Sequence, residues 1–138
     1  MNETFQINFL AVLTACVASF VFAGVWFGLV IAKGYVVALG RESLPAQKPT
    51  LLFILGPTVC NLIMVLASAM LMKSLGIQGI EQASYFGLLI GIGYLVPTCM
   101  TIAINPNFPR PFMYTFLNAP YFVLNSLMTS LILVSFHS

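Results

Sequence analysis

Apolar residues run along this chain in four long blocks, with neither the alternation of a half-buried strand nor the one-sided stripe of a helix on a water-filled surface. The blocks cover 8–32, 50–72, 83–104 and 112–136, and each is close to the roughly 20 residues that cross a hydrocarbon core. None contains a charged side chain. Glu3, Lys33, Arg41, Glu42, Lys48, Lys73, Glu81 and Arg110 all fall in the tail or in the three connections, as the cost of an ionised group in lipid requires. The pattern predicts an all-α, polytopic membrane protein: a single domain over 1–138 with four transmembrane helices in a compact bundle. The first block carries Glu3 at its head, lacks a basic leader and exceeds the usual apolar core of a signal peptide, so it is expected to stay in the protein.

Small residues repeat at four-residue spacing within the blocks. Ala11, Ala15, Ser19 and Ala23 form one line, Gly24, Gly28 and Ala32 the next, and Ala83, Gly87 and Gly91 a third. Faces of this kind let lipid-embedded backbones approach closely. Gly24, Gly28, Gly87 and Gly91 are therefore expected at helix contacts, within the bundle or between copies in a homo-oligomer.

Polar residues also align. Tyr94, Thr98, Thr101 and Asn105 share one helical stripe, Asn118, Asn125 and Thr129 another, and Asn61 lies in the second block near Thr58 and Ser68. Both stripes should face protein. They serve either as hydrogen-bonding glue between helices or as a seam that contacts a small molecule through Asn61, Tyr94, Thr98, Thr101, Asn118, Tyr121 and Asn125.

Prolines punctuate the second half of the chain. Pro97 and Pro120 should kink the third and fourth helices and leave the carbonyls of Gly93 and Phe116 in need of partners. Pro106, Pro109 and Pro111 build a short stiff turn, with Pro111 suited to the first position of the last helix. Arg110 then sits beside the positive end of that helix, where a lipid phosphate or Glu42 must offset it. Trp26, Lys33, Tyr35 and Arg110 are the expected lipid anchors.

Composition narrows function mainly by exclusion. Sixty per cent of residues are hydrophobic and 6% charged, which places the chain in a bilayer. The net charge of +2 is small and scattered, which gives nucleic acid nothing to bind. Cys16, Cys60 and Cys99 lie inside the blocks at no metal-binding or disulfide spacing, and His137 sits in the tail, so no metal or cofactor is expected. With no aspartate and no nucleophile–base pair in the blocks, an enzyme is not expected. The absence of an acid, His or Lys within them also argues against ion-coupled transport. What remains is a helix-packing or accessory module that binds lipid, an apolar molecule or a partner membrane protein. The alternative is a small oligomeric transporter or channel using the polar seam. Lys33, Arg41, Lys48 and Arg110 occupy the first and third connections against Lys73 alone in the second, so both termini are predicted outside.

Nearly the whole chain, from "INFLAVLTACVASFVFAGVWFGLVIAKGYVVALG" to "NPNFPRPFMYTFLNAPYFVLNSLMTSLIL", resembles the DUF1761 family of small bacterial membrane proteins. The resemblance rests on an opening Asn and apolar helix, the Trp26-Phe27-Gly28 element, the Lys33 to Tyr35 segment, Pro97 in the third helix and Arg110 in the turn that follows. It implies a four-helix fold in the bacterial inner (cytoplasmic) membrane and no established activity. Where the family pattern has Gly-Tyr-His this chain has Pro120-Tyr121-Phe122, so a role carried by that histidine does not transfer.

Overall fold

A computed structural model describes residues 6–136; Glu3 and His137 lie outside them. The described residues fold into helices and turns, with no strand among them. Helix α1 (Phe9–Val25) continues through a π-helical turn, Trp26–Val30, into the short α2 (Ala32–Ala38). Helix α3 (Leu51–Ser74) follows the first connection. The third span is also composite: α4 (Ile80–Ile90), a π-helical turn Gly91–Leu95, and α5 (Val96–Ala103). Helix α6 (Pro111–Ser135) is continuous α-helix through Pro120.

Four stretches are long and apolar enough to cross a membrane: Phe9–Val30, Leu51–Ser74, Ile80–Ala103 and Pro111–Ser135. At about 1.5 Å per residue, even the shortest covers the ~30 Å hydrocarbon core. This is a membrane-spanning protein. The irregularity in the third span coincides with Pro97, as expected, whereas the one in the first span contains no proline.

Local chemistry fixes the helix ends. The Asn8 side chain accepts hydrogen bonds from the backbone N–H groups of Leu10 (3.0 Å) and Ala11 (3.2 Å), supplying two of the orphan donors of a helix start with a partner. Its amide also donates to the carbonyl of Phe136 at 3.3 Å, tying the two ends of the fold together. Thr50 caps α3 through Phe53, and Pro111 opens α6. Helix α2 ends at Gly40, which adopts φ +65° and closes a Schellman turn, its N–H reaching Val37 and that of Arg41 reaching Val36.

Helix α6 is the hub. Helix α1 packs on it, as does the whole α4 to α5 span, while α3 rests mainly on α1. The core gathers at the end of the molecule that holds the α3–α4 turn. Ala11, Val12 and Ala15 meet Val65, Ala69 and Met72 of α3, Ala83 and Phe86 of α4, and Leu133 and Val134 of α6. Towards the other end α3 separates from the rest, and no residue from Leu51 to Met64 is buried. In lipid an exposed leucine is normal, because tails are as apolar as the side chain and close packing, not water exclusion, holds helices together.

Candidate functional site

The glycines divide into two groups. A Cβ on Gly87 would lie 2.8 Å from the Cα of Leu127 and 3.0 Å from the carbonyl oxygen of Ser126, and one on Gly91 would lie 2.8 Å from the Cα of Val123. These two glycines are where α4 and α6 touch backbone to backbone. Gly24 and Gly28 make no such contact within the chain: nothing lies within 4 Å of a Cβ at either position. Ser19 is buried in the interior, and at 100° per residue Gly24 falls about 140° around α1 from it. The line Ala11, Ala15, Ser19 has taken the inner face, so the Gly24 line is turned out of the molecule.

The polar stripes divide likewise. On α6, Thr115, Asn118, Tyr121, Asn125, Ser126, Thr129 and Ser130 are all buried, and the Asn118 amide donates to the carbonyl of Tyr114 at 2.7 Å. Asn61 on α3 is half-buried. The third-span stripe, expected to face protein, faces away: Tyr94 is 65% exposed, and Thr98 and Thr101 are exposed too. The π turn Gly91–Leu95 accounts for this. In an unbroken α-helix Thr98, eleven residues after Gly87, would share its face to within about 20°. A π turn inserts one residue and rotates everything after it by about 100°. Cys99 and Ala103 become the buried residues, and the Thr101 hydroxyl satisfies itself on the carbonyl of Pro97 at 2.9 Å.

Trp26 and Tyr35, expected as lipid anchors, are each half-buried against protein. They belong to a ladder of rings between the first span and α6. Phe22 stacks on Tyr121 (centroids 5.3 Å), Phe27 meets Tyr121 edge-on (4.9 Å), and Tyr35 links Phe27 to Tyr114. The indole N–H of Trp26 donates to the carbonyl of Leu117 at 3.1 Å, next to the stretch that Pro120 deprives of a donor. The ladder could have been suspected from Phe22 and Trp26 one turn apart, and from Tyr114 and Tyr121 two turns apart, but not which rings pair. Lys33 is exposed.

Arg110 has found one of its two expected partners. Its guanidinium donates to the Glu42 carboxylate at 2.6 Å and to the carbonyl of Val37. The carbonyl end of α2 and an acid thus offset a cation held at the positive end of α6. The hydrogen bond from Arg110 holds the Glu42 carboxyl below the ordinary carboxylate range. Pro109 rests against Gly40 in the same junction.

Outside the interior, α1 and α6 leave an open groove of about 580 Å³ lined by Thr14, Phe22, Leu124, Met128, Leu131 and Ile132, among others. Its walls are almost entirely carbon, and the Thr14 hydroxyl is occupied by the carbonyl of Leu10. That volume lies in the range of small-molecule sites, and the lining suits an alkyl chain and offers no group for acid–base chemistry. Among the described residues, no three His, Cys, Asp or Glu side chains gather as metal ligands would.

No curated protein and no solved structure matches the chain. A family profile does, over residues 10–134, a range that takes in all but the outermost residues of the four spans, together with the ring ladder and the junction at Arg110. The chain therefore belongs to DUF1761, a family described as proteins of unknown function.

Proposed function

We propose that this protein is a non-enzymatic accessory module of the bacterial inner membrane that holds the acyl chain of a lipid, or an apolar molecule of similar shape, against α1 and α6. The observation that carries this reading is the carbon-lined groove of about 580 Å³ between those two helices. Phe22 at one end and Met128 within it give a wall that is part rigid and part adaptable. The partner is membrane lipid. The open Gly24–Gly28 face supports a second copy, or another membrane protein, as a further neighbour, since small residues facing outward in lipid leave room for a close helix contact.

Photo-crosslinking with a lipid that carries a diazirine in its acyl chain tests the groove. Label should concentrate on Leu124, Met128 and Ile132, and Met128→Trp, which fills the space, should reduce it several-fold. Label spread evenly over all outward faces would refute the reading. The second reading, a small oligomeric transporter or channel, draws support from the buried polar run of α6. It requires that Asn118 or Asn125 replaced by Leu abolish a measurable flux while the protein stays folded.

The orientation that fits has Arg41 and Arg110 in the cytoplasm and both termini outside, following the excess of basic residues in the first and third connections. Cysteine substitutions at Arg41 and Gln82, probed with an impermeant thiol reagent on intact cells, should label at 82 and not at 41, judged against the unsubstituted protein. Labelling at 41 alone would invert the topology.

A further inference from the structure

Seven hydroxyls on the described helices share one pattern. Thr14, Thr58, Ser74, Ser84, Thr101, Ser130 and Ser135 each donate to the carbonyl four residues earlier, at 2.7 to 2.9 Å. Ser19 does not share it. Its side chain is 1% exposed, and its Oγ has no hydrogen-bond partner. Only one other buried side-chain atom among the described residues is in the same state, the Oδ1 of Asn125, on a residue 7% exposed.

The two lie at one depth. Helices α1 and α6 run antiparallel, with Asn8 bonded to Phe136 and Phe22 stacked on Tyr121. Counting from the first contact, Ser19 is eleven residues along α1 and Asn125 eleven residues back along α6, about 16.5 Å for each. Counting from the second, the two positions differ in height by only about 1.5 Å. Both sit near the middle of their spans, Phe9–Val30 and Pro111–Ser135. Asn61 reaches the same level on α3. Ala11 and Ala69 border one cleft; Ser19 is eight residues on from the first and Asn61 eight residues before the second.

A hydroxyl donor and a carbonyl acceptor thus stand level in the bilayer midplane, on helices that pack together, with no bond to each other or to anything else. We propose that Ser19 and Asn125 bind one neutral hydroxyl oxygen, which accepts from the Ser19 O–H and donates to the Asn125 carbonyl. A buried polar group without a partner costs about 1–3 kcal/mol, and a single bridging oxygen relieves both. The ligand is uncharged because the spans carry Lys, Arg, Asp or Glu only at Lys73 and Glu81, close to their ends. Such an oxygen has two sources, an internal water or the hydroxyl of a neutral amphiphile. The site stands independently of the α1/α6 groove.

The test uses the full chain in phosphatidylcholine nanodiscs, comparing Ser19→Ala, Asn125→Leu and the double variant. Ala11 and Ala15 already occupy the same line of α1, so Ser19→Ala removes one oxygen and nothing else. Each single variant should lower stability, and the double should lose no more than the worse single, a coupling of roughly tenfold in the unfolding equilibrium. Dodecanol and dodecane then separate the sources. An amphiphile site is stabilised by dodecanol in the wild type but not in Ser19→Ala, and by dodecane in neither. A water site ignores both and shows a long-lived water contact to the Asn125 side-chain amide by NMR. Additive losses, a Ser19→Ala variant as stable as the wild type, or coupling with neither the alcohol effect nor the water contact would overturn the proposal.

Discussion

Replacing Gly87 by alanine adds one carbon where there is no room for it. The new Cβ would sit 2.8 Å from the Cα of Leu127, 2.9 Å from the Oγ of Ser130 and 3.0 Å from the carbonyl oxygen of Ser126. Favourable contact between heavy atoms begins near 3.5 Å. Two of the three obstructing atoms are backbone, so no rotamer change clears the space, and α4 must move off α6 by roughly 0.5–1 Å. Overpacking of this kind costs about 1–3 kcal/mol. The gain in helix propensity from Gly to Ala, at most about 1 kcal/mol, works the other way, so the control has to carry it too. Gly24 is that control: it lies in regular helix, and a Cβ there meets nothing within 4 Å. The difference between Gly87→Ala and Gly24→Ala then isolates the steric cost. Reversible unfolding in mixed micelles, followed by the emission of Trp26, should place Gly87→Ala about 1–3 kcal/mol below Gly24→Ala. Gly91→Ala should behave like Gly87→Ala, and the pair should cost less than the sum, because one displacement of α4 relieves both clashes. Equal stability of the Gly24 and Gly87 variants would refute the assignment of Gly87 and Gly91 as the contact that sets the helix spacing.

Three further outcomes follow from the same structure. The Glu42 carboxyl titrates lower in the folded protein than in the unfolded chain, so its contribution is complete above the ordinary value of 4.5 and disappears as pH falls through the lowered one; thermal melts in acid should show this loss, Glu42→Gln should flatten it, and salt should weaken it because the pair is about half exposed. Trp26→Phe keeps an aromatic ring but leaves the Leu117 carbonyl without its indole donor, and chemical denaturation should record a loss of about 1 kcal/mol, with no loss refuting a structural role for that bond. Gly40→Ala meets both a positive φ and Pro109 at 2.9 Å from the new carbon, so it should destabilise by about 1 kcal/mol or more and loosen the Arg110 junction, read as faster proteolysis between α2 and α3.

The number of spans and their limits were legible because they depend only on composition in sequence. Charged residues cannot stay in the hydrocarbon, so their positions bracket each helix; only the third start moved noticeably, from 83 to Ile80, with Glu81 taken into its first turn where a negative charge is favourable. The turn at 105–111 was legible for a similar reason. Proline restricts its own φ and the conformation of the residue before it, and Glu42 was the only acid in the connections on Arg110's side. The Val37 carbonyl was not foreseeable, because no side-chain pattern marks the end of α2 as a partner.

Which way a residue faces is a different kind of question, and here the sequence misleads for a physical reason. A helical wheel carries phase from one residue to the next, and a single inserted residue resets it. The π turn Gly91–Leu95 is such a reset: Gly87 before it and Gly91 at its start keep the face that meets α6, and the polar residues after it lose that face to Cys99 and Ala103. Pro97 favours a break here because it cannot donate to the Gly93 carbonyl, but it does not dictate how the chain rewinds. The winding is chosen by packing, because only a rotated α5 can keep small or apolar residues on α6 beyond Pro97. Gly28 lies in the other π turn, Trp26–Val30, where the break aims Trp26 and Phe27 at Leu117 and Tyr121. Both breaks therefore lie in spans that pack on α6, and both serve to bring large or small side chains into register with it. Ser19 and Asn125 lie before the break in α1 and within the unbroken α6, where phase is preserved. Their shared level is therefore fixed by regular helix on both sides, and a bridging oxygen between them would be held in place by the most regular part of the fold.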